Sequence, residues 1–152
     1  MAIDLRSALP TLLPLAIEWA GARALEVALS GVSLNDHRLA VARAVGVQKP
    51  ELIRVALVQA LPLPEHPALR AAALQTGLLG PGMVGLTLGY SVLICRGNDT
   101  TRLLSHEFRH VYQYESAGSI AALLPVYLQQ IVEFEYNNAP FEIDARSHEF
   151  DG

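Results

Sequence analysis

The run His106-Glu107-Phe108-Arg109-His110 has the pattern H-E-x-x-H and lies in a stretch, Arg102 to Ser116, without proline or glycine. Helical positions i and i+4 share a face about 6 Å apart, so both imidazoles can reach one tetrahedral Zn²⁺. Glu107 then projects beside a zinc-activated water and can act as its general base. The chemistry of such an arrangement is zinc-dependent hydrolysis. The competing reading is a surface helix with two solvated histidines and a solvated glutamate. Leu103, Leu104, Phe108, Val111 and Tyr112 argue against it, because they give the segment an apolar face, and a buried helix must satisfy its histidines.

Zinc at a catalytic site takes three protein ligands and leaves a fourth position open. The leading candidate for the third is Glu142, within Asn138-Ala139-Pro140-Phe141-Glu142-Ile143-Asp144-Ala145. Asn137 or Asn138 is expected to cap a helix there, with Pro140 in its first turn. Asp144, His148, Glu115 and Glu135 are the alternatives. Glu115 follows His110 by five positions, turns away from the metal face and reads as a solvated charge. Between the two sites, Ile120, Leu123, Leu124, Tyr127, Leu128, Ile131 and Val132 repeat at helical spacing, and Pro125 is expected to kink that helix. Gly118 and Ser119 provide a stop and a cap at the intervening turn. The helical excursion can bring Glu142 back to the histidines.

The runs Gly85-Leu86-Thr87-Leu88-Gly89-Tyr90-Ser91-Val92-Leu93-Ile94, Leu103 to Gln113 and Asn138 to Ala145 resemble small bacterial gluzincin-type zinc metallopeptidases. In these, H-E-x-x-H-V-x-Q is followed by a glutamate in an E-x-x-A context. The resemblance spans residues 50 to 150. It implies His106, His110 and Glu142 as zinc ligands, Glu107 as general base, and a strand just before the metal helix that lines the substrate cleft. Many gluzincins carry an aspartate four residues after the ligand glutamate, orienting a zinc histidine; this chain has Arg146 there. Asp144 or a backbone carbonyl is the expected substitute.

An oxyanion donor should come from Tyr112, Tyr114, Tyr127, Tyr136, Arg109 or Arg146, although packing is the default role of each, and of Tyr127 in its apolar stripe above all. His37 and His66 lack spaced partners and are read as surface or satisfied polar contacts.

The chain has 152 residues, the size of one domain, here divided into amino-terminal helices (1–46) and a catalytic core (50–152). A net charge of −4 with eleven scattered basic residues argues against nucleic acid. Hydrophobic residues make up 51% and charged residues 17%, so some apolar surface is expected to be covered by another copy of the chain or a protein partner. The lone cysteine, Cys95, excludes an intrachain disulfide, points to a reducing, cytoplasmic compartment and reads as a small buried hydrophobe.

Two segments invite other readings. Ala71 to Cys95 carries no charge, but its glycines and its alternation through Leu86, Leu88, Tyr90, Val92 and Ile94 favour a strand over a membrane span. Gly80-Pro81-Gly82-Met83-Val84-Gly85 matches the dinucleotide fingerprint literally. That fingerprint needs a strand before it and a helix after it, whereas here a helix over 67–76 precedes and a strand follows, so it reads as a turn.

The expected architecture is α+β, mostly helical, with a zincin-like metal helix. An amphipathic helix is expected from Leu12 to Leu29 and a second over 34–44 capped by Ser33 or Asn35. Strands near 52–58 and 84–95 build a small sheet whose edge near Thr87 to Leu93 would pair with an extended peptide, and Asp99-Thr100 caps the metal helix. The function expected is zinc-dependent peptide-bond hydrolysis acting on a peptide or protein substrate. The alternative is a catalytically silent, metal-stabilised interaction module on the same fold.

Overall fold

A computed structural model describes residues 2–152. The described residues form a mixed α+β fold, mostly helical, with a four-stranded sheet. In chain order the elements are α1 (Leu5–Ser30), β1 (Val32–Ser33), α2 (Asp36–Ala44), β2 (Arg54–Val58), α3 (Pro67–Thr76), β3 (Gly85–Leu88), β4 (Ser91–Cys95), α4 (Thr101–Ala117), α5 (Ile120–Phe134) and α6 (Pro140–Ser147). The strand order is β1-β2-β4-β3. β2 and β4 are parallel, joined by a crossover that contains α3 and β3, while β1 and β3 flank them antiparallel.

α1 begins at Leu5, seven residues before the expected start. Asp4 caps it, accepting from the Ser7 amide at 3.4 Å and the Ser7 hydroxyl at 2.7 Å. The helix runs through Pro10 and Pro14. Each interior proline deletes a backbone bond at a cost of about 3 kcal/mol, which the burial of Leu12, Ala16, Ala20 and Val27 against the sheet and α5 offsets. α5 likewise continues through Pro125. α2 is capped by Asn35, whose side chain accepts from the Arg38 amide.

The apolar alternation over 84–95 belongs to a hairpin, not one strand. Gly89 adopts φ +66°, a left-handed conformation that glycine enters without strain, and the chain reverses between Leu88 and Ser91. Leu88 therefore packs on one face of the sheet with α1 and α5, whereas Val92 and Ile94 pack on the other with α2 and α4. β3 is an outer strand and β4 an inner one, so the residues of the expected peptide-pairing edge from Ser91 onward are already paired on both sides. The fingerprint-like stretch Gly80 to Val84 lies in the connection between α3 and β3. No single helix among the described residues is long and apolar enough to cross a membrane.

α4 carries the H-E-x-x-H pattern and lies between the two apolar clusters. Thr100 caps it by accepting from the Leu103 amide, and Gly118 at φ +102° ends it. Leu104, Phe108 and Val111 fill the cluster shared with α2, β2 and β4. His106, Glu107, His110 and Gln113 are buried on the remaining circumference. A helix buried this way must find partners for every polar group it turns inward.

Candidate metal centre

His106 and His110 stand one turn apart on α4, with ring centroids 5.0 Å apart and planes at 76°. Ser119 caps α5 after the Gly118 turn, accepting from the Ala122 amide. α5 leads to a short 3₁₀ turn, Tyr136–Asn138, and then α6 brings Glu142 to the rings. The cap of α6 differs from expectation: neither asparagine serves, and Ala139 occupies the position without a side-chain bond. Asn137 and Asn138 are taken up by the 3₁₀ turn. Gln130 of α5 satisfies the Phe141 amide at 2.9 Å, and Pro140 has no amide hydrogen to satisfy.

Glu142, only 1% exposed, lies with Oε1 3.1 Å from His106 Nε2 and Oε2 3.0 Å from His110 Nε2. One ligand atom from each of these three residues lies within 4.8 Å of the others. Tetrahedral zinc, with bonds of about 2.0–2.1 Å, separates its ligands by about 3.4 Å, so the grouping fits the ion.

The outer ring nitrogens are committed elsewhere. Gln113 donates its amide N–H groups to the Phe141 carbonyl at 3.0 Å and to Asp144 at 2.9 Å, which leaves its carbonyl oxygen facing His110 Nδ1 at 2.7 Å. A Glu149 oxygen lies 2.8 Å from His106 Nδ1. Both acceptors fix a hydrogen on Nδ1, so both Nε2 atoms, each protonated or free to take a cation, face the Glu142 carboxylate. Three acceptors meeting out of solvent require positive charge between them, either protons or a cation. Burial opposes charge on both rings, yet bonding to Glu142 raises His110 to about 9 and holds His106 above its ordinary value. Burial alone would raise the Glu142 carboxyl; the bonds from His106 and His110 overcome it and hold the group far below the usual carboxylate range.

Glu107 is held from the sheet side. The Thr87 hydroxyl on β3 lies 2.7 Å from Glu107 Oε1 and 3.1 Å from its backbone oxygen. Gly85 passes so close that a Cβ there would sit 2.8 Å from Glu107 Oε2. The strand packed on this residue is thus β3, while β4 immediately precedes α4 in sequence. Glu107 lies where two hollows meet. One, of about 140 Å³, is mostly apolar and reaches between α1, α3 and α5; the other is a more polar cleft bordered by His106, Arg102, Arg146 and Glu149.

The other candidate ligands do not join the cluster. Asp144 forms a two-pronged pair with Arg109 at 2.8 and 3.2 Å and bonds Gln113, so it steadies His110 through that amide. The Arg109 guanidinium also stacks on Tyr112 and donates to the Val45 carbonyl. His148 Nδ1 lies 2.8 Å from the Asp144 carbonyl, and Glu135 is exposed at the end of α5. Arg146 donates to the Asn137 carbonyl. Glu115 is not a free solvated charge: it accepts from the amides of Gln48 and Lys49 and from the Tyr90 hydroxyl, pinning the loop after α2 to α4. Cys95 is partly buried at the end of β4, away from the ligands. His37 lies 3.2 Å from the Thr101 hydroxyl, and His66 caps α3.

Tyr127 does more than pack, because its hydroxyl donates to Glu142 Oε2 at 2.7 Å. Its place in an apolar stripe concealed this. Thr87, Gly85 and Glu149 also escape sequence reasoning; Glu149 lies beyond the end of α6, with no periodicity to mark it. Comparison with protein-family models, with characterised proteins and with solved structures finds no match for this chain.

Proposed function

We propose that the chain is a zinc-dependent metallopeptidase of zincin-like, gluzincin type. The observation that carries this reading is the convergence of the His106 and His110 Nε2 atoms and the Glu142 carboxylate, with Glu107 on the same helix bordering two hollows. His106, His110 and Glu142 would hold the ion. When bound, zinc supplies a Lewis acid for an amide carbonyl and lowers the pKa of water toward 7.

The protein's own groups supply the rest. Glu107, oriented by Thr87, accepts a proton from the attacking water and returns it to the departing nitrogen. Glu149 and Gln113 keep the rings in the tautomer that offers Nε2. Tyr127 holds the second Glu142 oxygen and limits its rotation. The near-complete burial of Thr87, Glu107, Gln113 and Glu142 strengthens the interactions they make.

The test is zinc content together with hydrolysis of a broad peptide library by the wild type and Glu107→Gln. About one zinc per chain, with hydrolysis abolished in the variant and zinc retained, upholds the proposal. Full zinc occupancy without hydrolysis favours a metal-stabilised interaction module, and absence of zinc binding refutes both.

A further inference from the structure

The apolar hollow beside Glu107 has a shape that the hydrolytic reading does not explain. Its wall on α1 is one helix face, Leu5, Leu9, Leu12, Ala16 and Trp19, with Ala20 beside it. The fifteen steps from Leu5 to Ala20, at 1.5 Å each, run about 22 Å, longer than any single side chain. Leu69 and Ala73 of α3 and Leu124 and Leu128 of α5 form other walls, and Glu107, His110 and Glu142 stand at the polar end.

An extended peptide long enough to follow this wall would have about six or seven residues and would bring their amides into an almost wholly apolar enclosure. Such groups are strongly disfavoured without partners. A hydrocarbon chain meets no such penalty and gains with every methylene it buries. The second hollow, bordered by arginines and Glu149, suits a polar group across Glu107.

We infer that the apolar cavity binds a long hydrocarbon chain, one arm of an amide whose other, polar arm lies in the cleft beside His106. The amide part of this inference rests on the proposed hydrolase. Hydrolysis of such a substrate forms a C–O bond from water and breaks the C–N bond. Glu107 carries the water's proton to the nitrogen, and the products are a carboxylic acid and an amine, one of them bearing the chain.

The chain's single tryptophan, Trp19, lines the cavity and reports its occupancy. A fatty acid brominated along its chain should quench Trp19 emission saturably in the wild-type protein, and Ala73→Phe, which fills the cavity away from Glu107, should weaken that quenching at least tenfold. On the zinc-loaded protein, lauroylglycine (chain on the acyl side) is compared with acetylglycine, and N-dodecylsuccinamic acid (chain on the amine side) with N-ethylsuccinamic acid. At least one should be hydrolysed about a hundredfold faster, the scale that added methylenes reach in an apolar pocket. Quenching without zinc or hydrolysis sustains the hydrocarbon site while the hydrolase reading falls. Zinc-dependent cleavage of peptides with neither quenching nor a chain-length effect overturns the inference and leaves the hydrolase intact. Should Ala73→Phe fail to fold, quenching in the wild type decides alone.

Discussion

Gly85→Ala tests whether Glu107 acts as the general base and whether β3 sets its position. A Cβ at residue 85 would lie 2.8 Å from Glu107 Oε2, 3.0 Å from Cδ and 3.2 Å from Cγ, where ordinary contact begins near 3.4 Å. The carboxylate must therefore withdraw by 3.4 − 2.8 = 0.6 Å. It has little freedom to do so, being buried and bonded to the Thr87 hydroxyl at 2.7 Å. A misplacement of 1 Å costs about a hundredfold in rate, so 0.6 Å predicts a loss on the order of tenfold, about 1.4 kcal/mol of transition-state stabilisation. Gly85 lies in a strand without a left-handed φ, so alanine strains no backbone there. Zinc content should be unchanged, because Glu107 stands outside the three ligands. The assay is kcat/KM on a cleaved substrate beside zinc stoichiometry. Full activity in a zinc-loaded variant would refute the role given to Glu107 and its contact with β3. Loss of zinc would show that Gly85 supports the ligands instead.

Other expectations follow from neighbouring contacts. Glu149→Gln removes the anionic acceptor from His106 Nδ1 and should weaken zinc binding about ten- to a hundredfold in chelator competition; unchanged affinity would deny Glu149 its orienting role. Burial, then the Glu115 carboxylate, raises the Tyr90 phenol to about 12, so the folded state holds this proton more tightly than the unfolded chain, where it leaves near pH 10. The stability this supplies is complete below pH 10 and is lost as pH climbs toward 12. Urea unfolding at about pH 9 and about pH 11.5 should therefore show a smaller alkaline loss in Tyr90→Phe than in the wild type, and equal losses would count against it. Thr100→Ala removes the cap of α4 and should cost about 1 kcal/mol in denaturant unfolding, with no effect meaning that the helix start is held otherwise.

What could be read directly in the chain is local. The separation of His106 and His110 places them on one helical face wherever the helix lies, and Thr100, Gly118 and Ser119 bound their turns through contacts within three or four residues. The α+β character and the helix over 67–76 follow from similarly short-range patterns. Tertiary structure alone decided the rest. Glu142 meets His106 across 36 positions, and Glu149 does so across 43. Glu107 meets Thr87 across 20, and whether such groups touch depends on how the helices pack on the sheet. Packing also extends α1 back through Pro10, which local propensity placed outside it. Leu88 and Val92 share one apolar period in the chain, yet the turn at Gly89 sends them to opposite faces, because periodicity gives direction only until the backbone reverses.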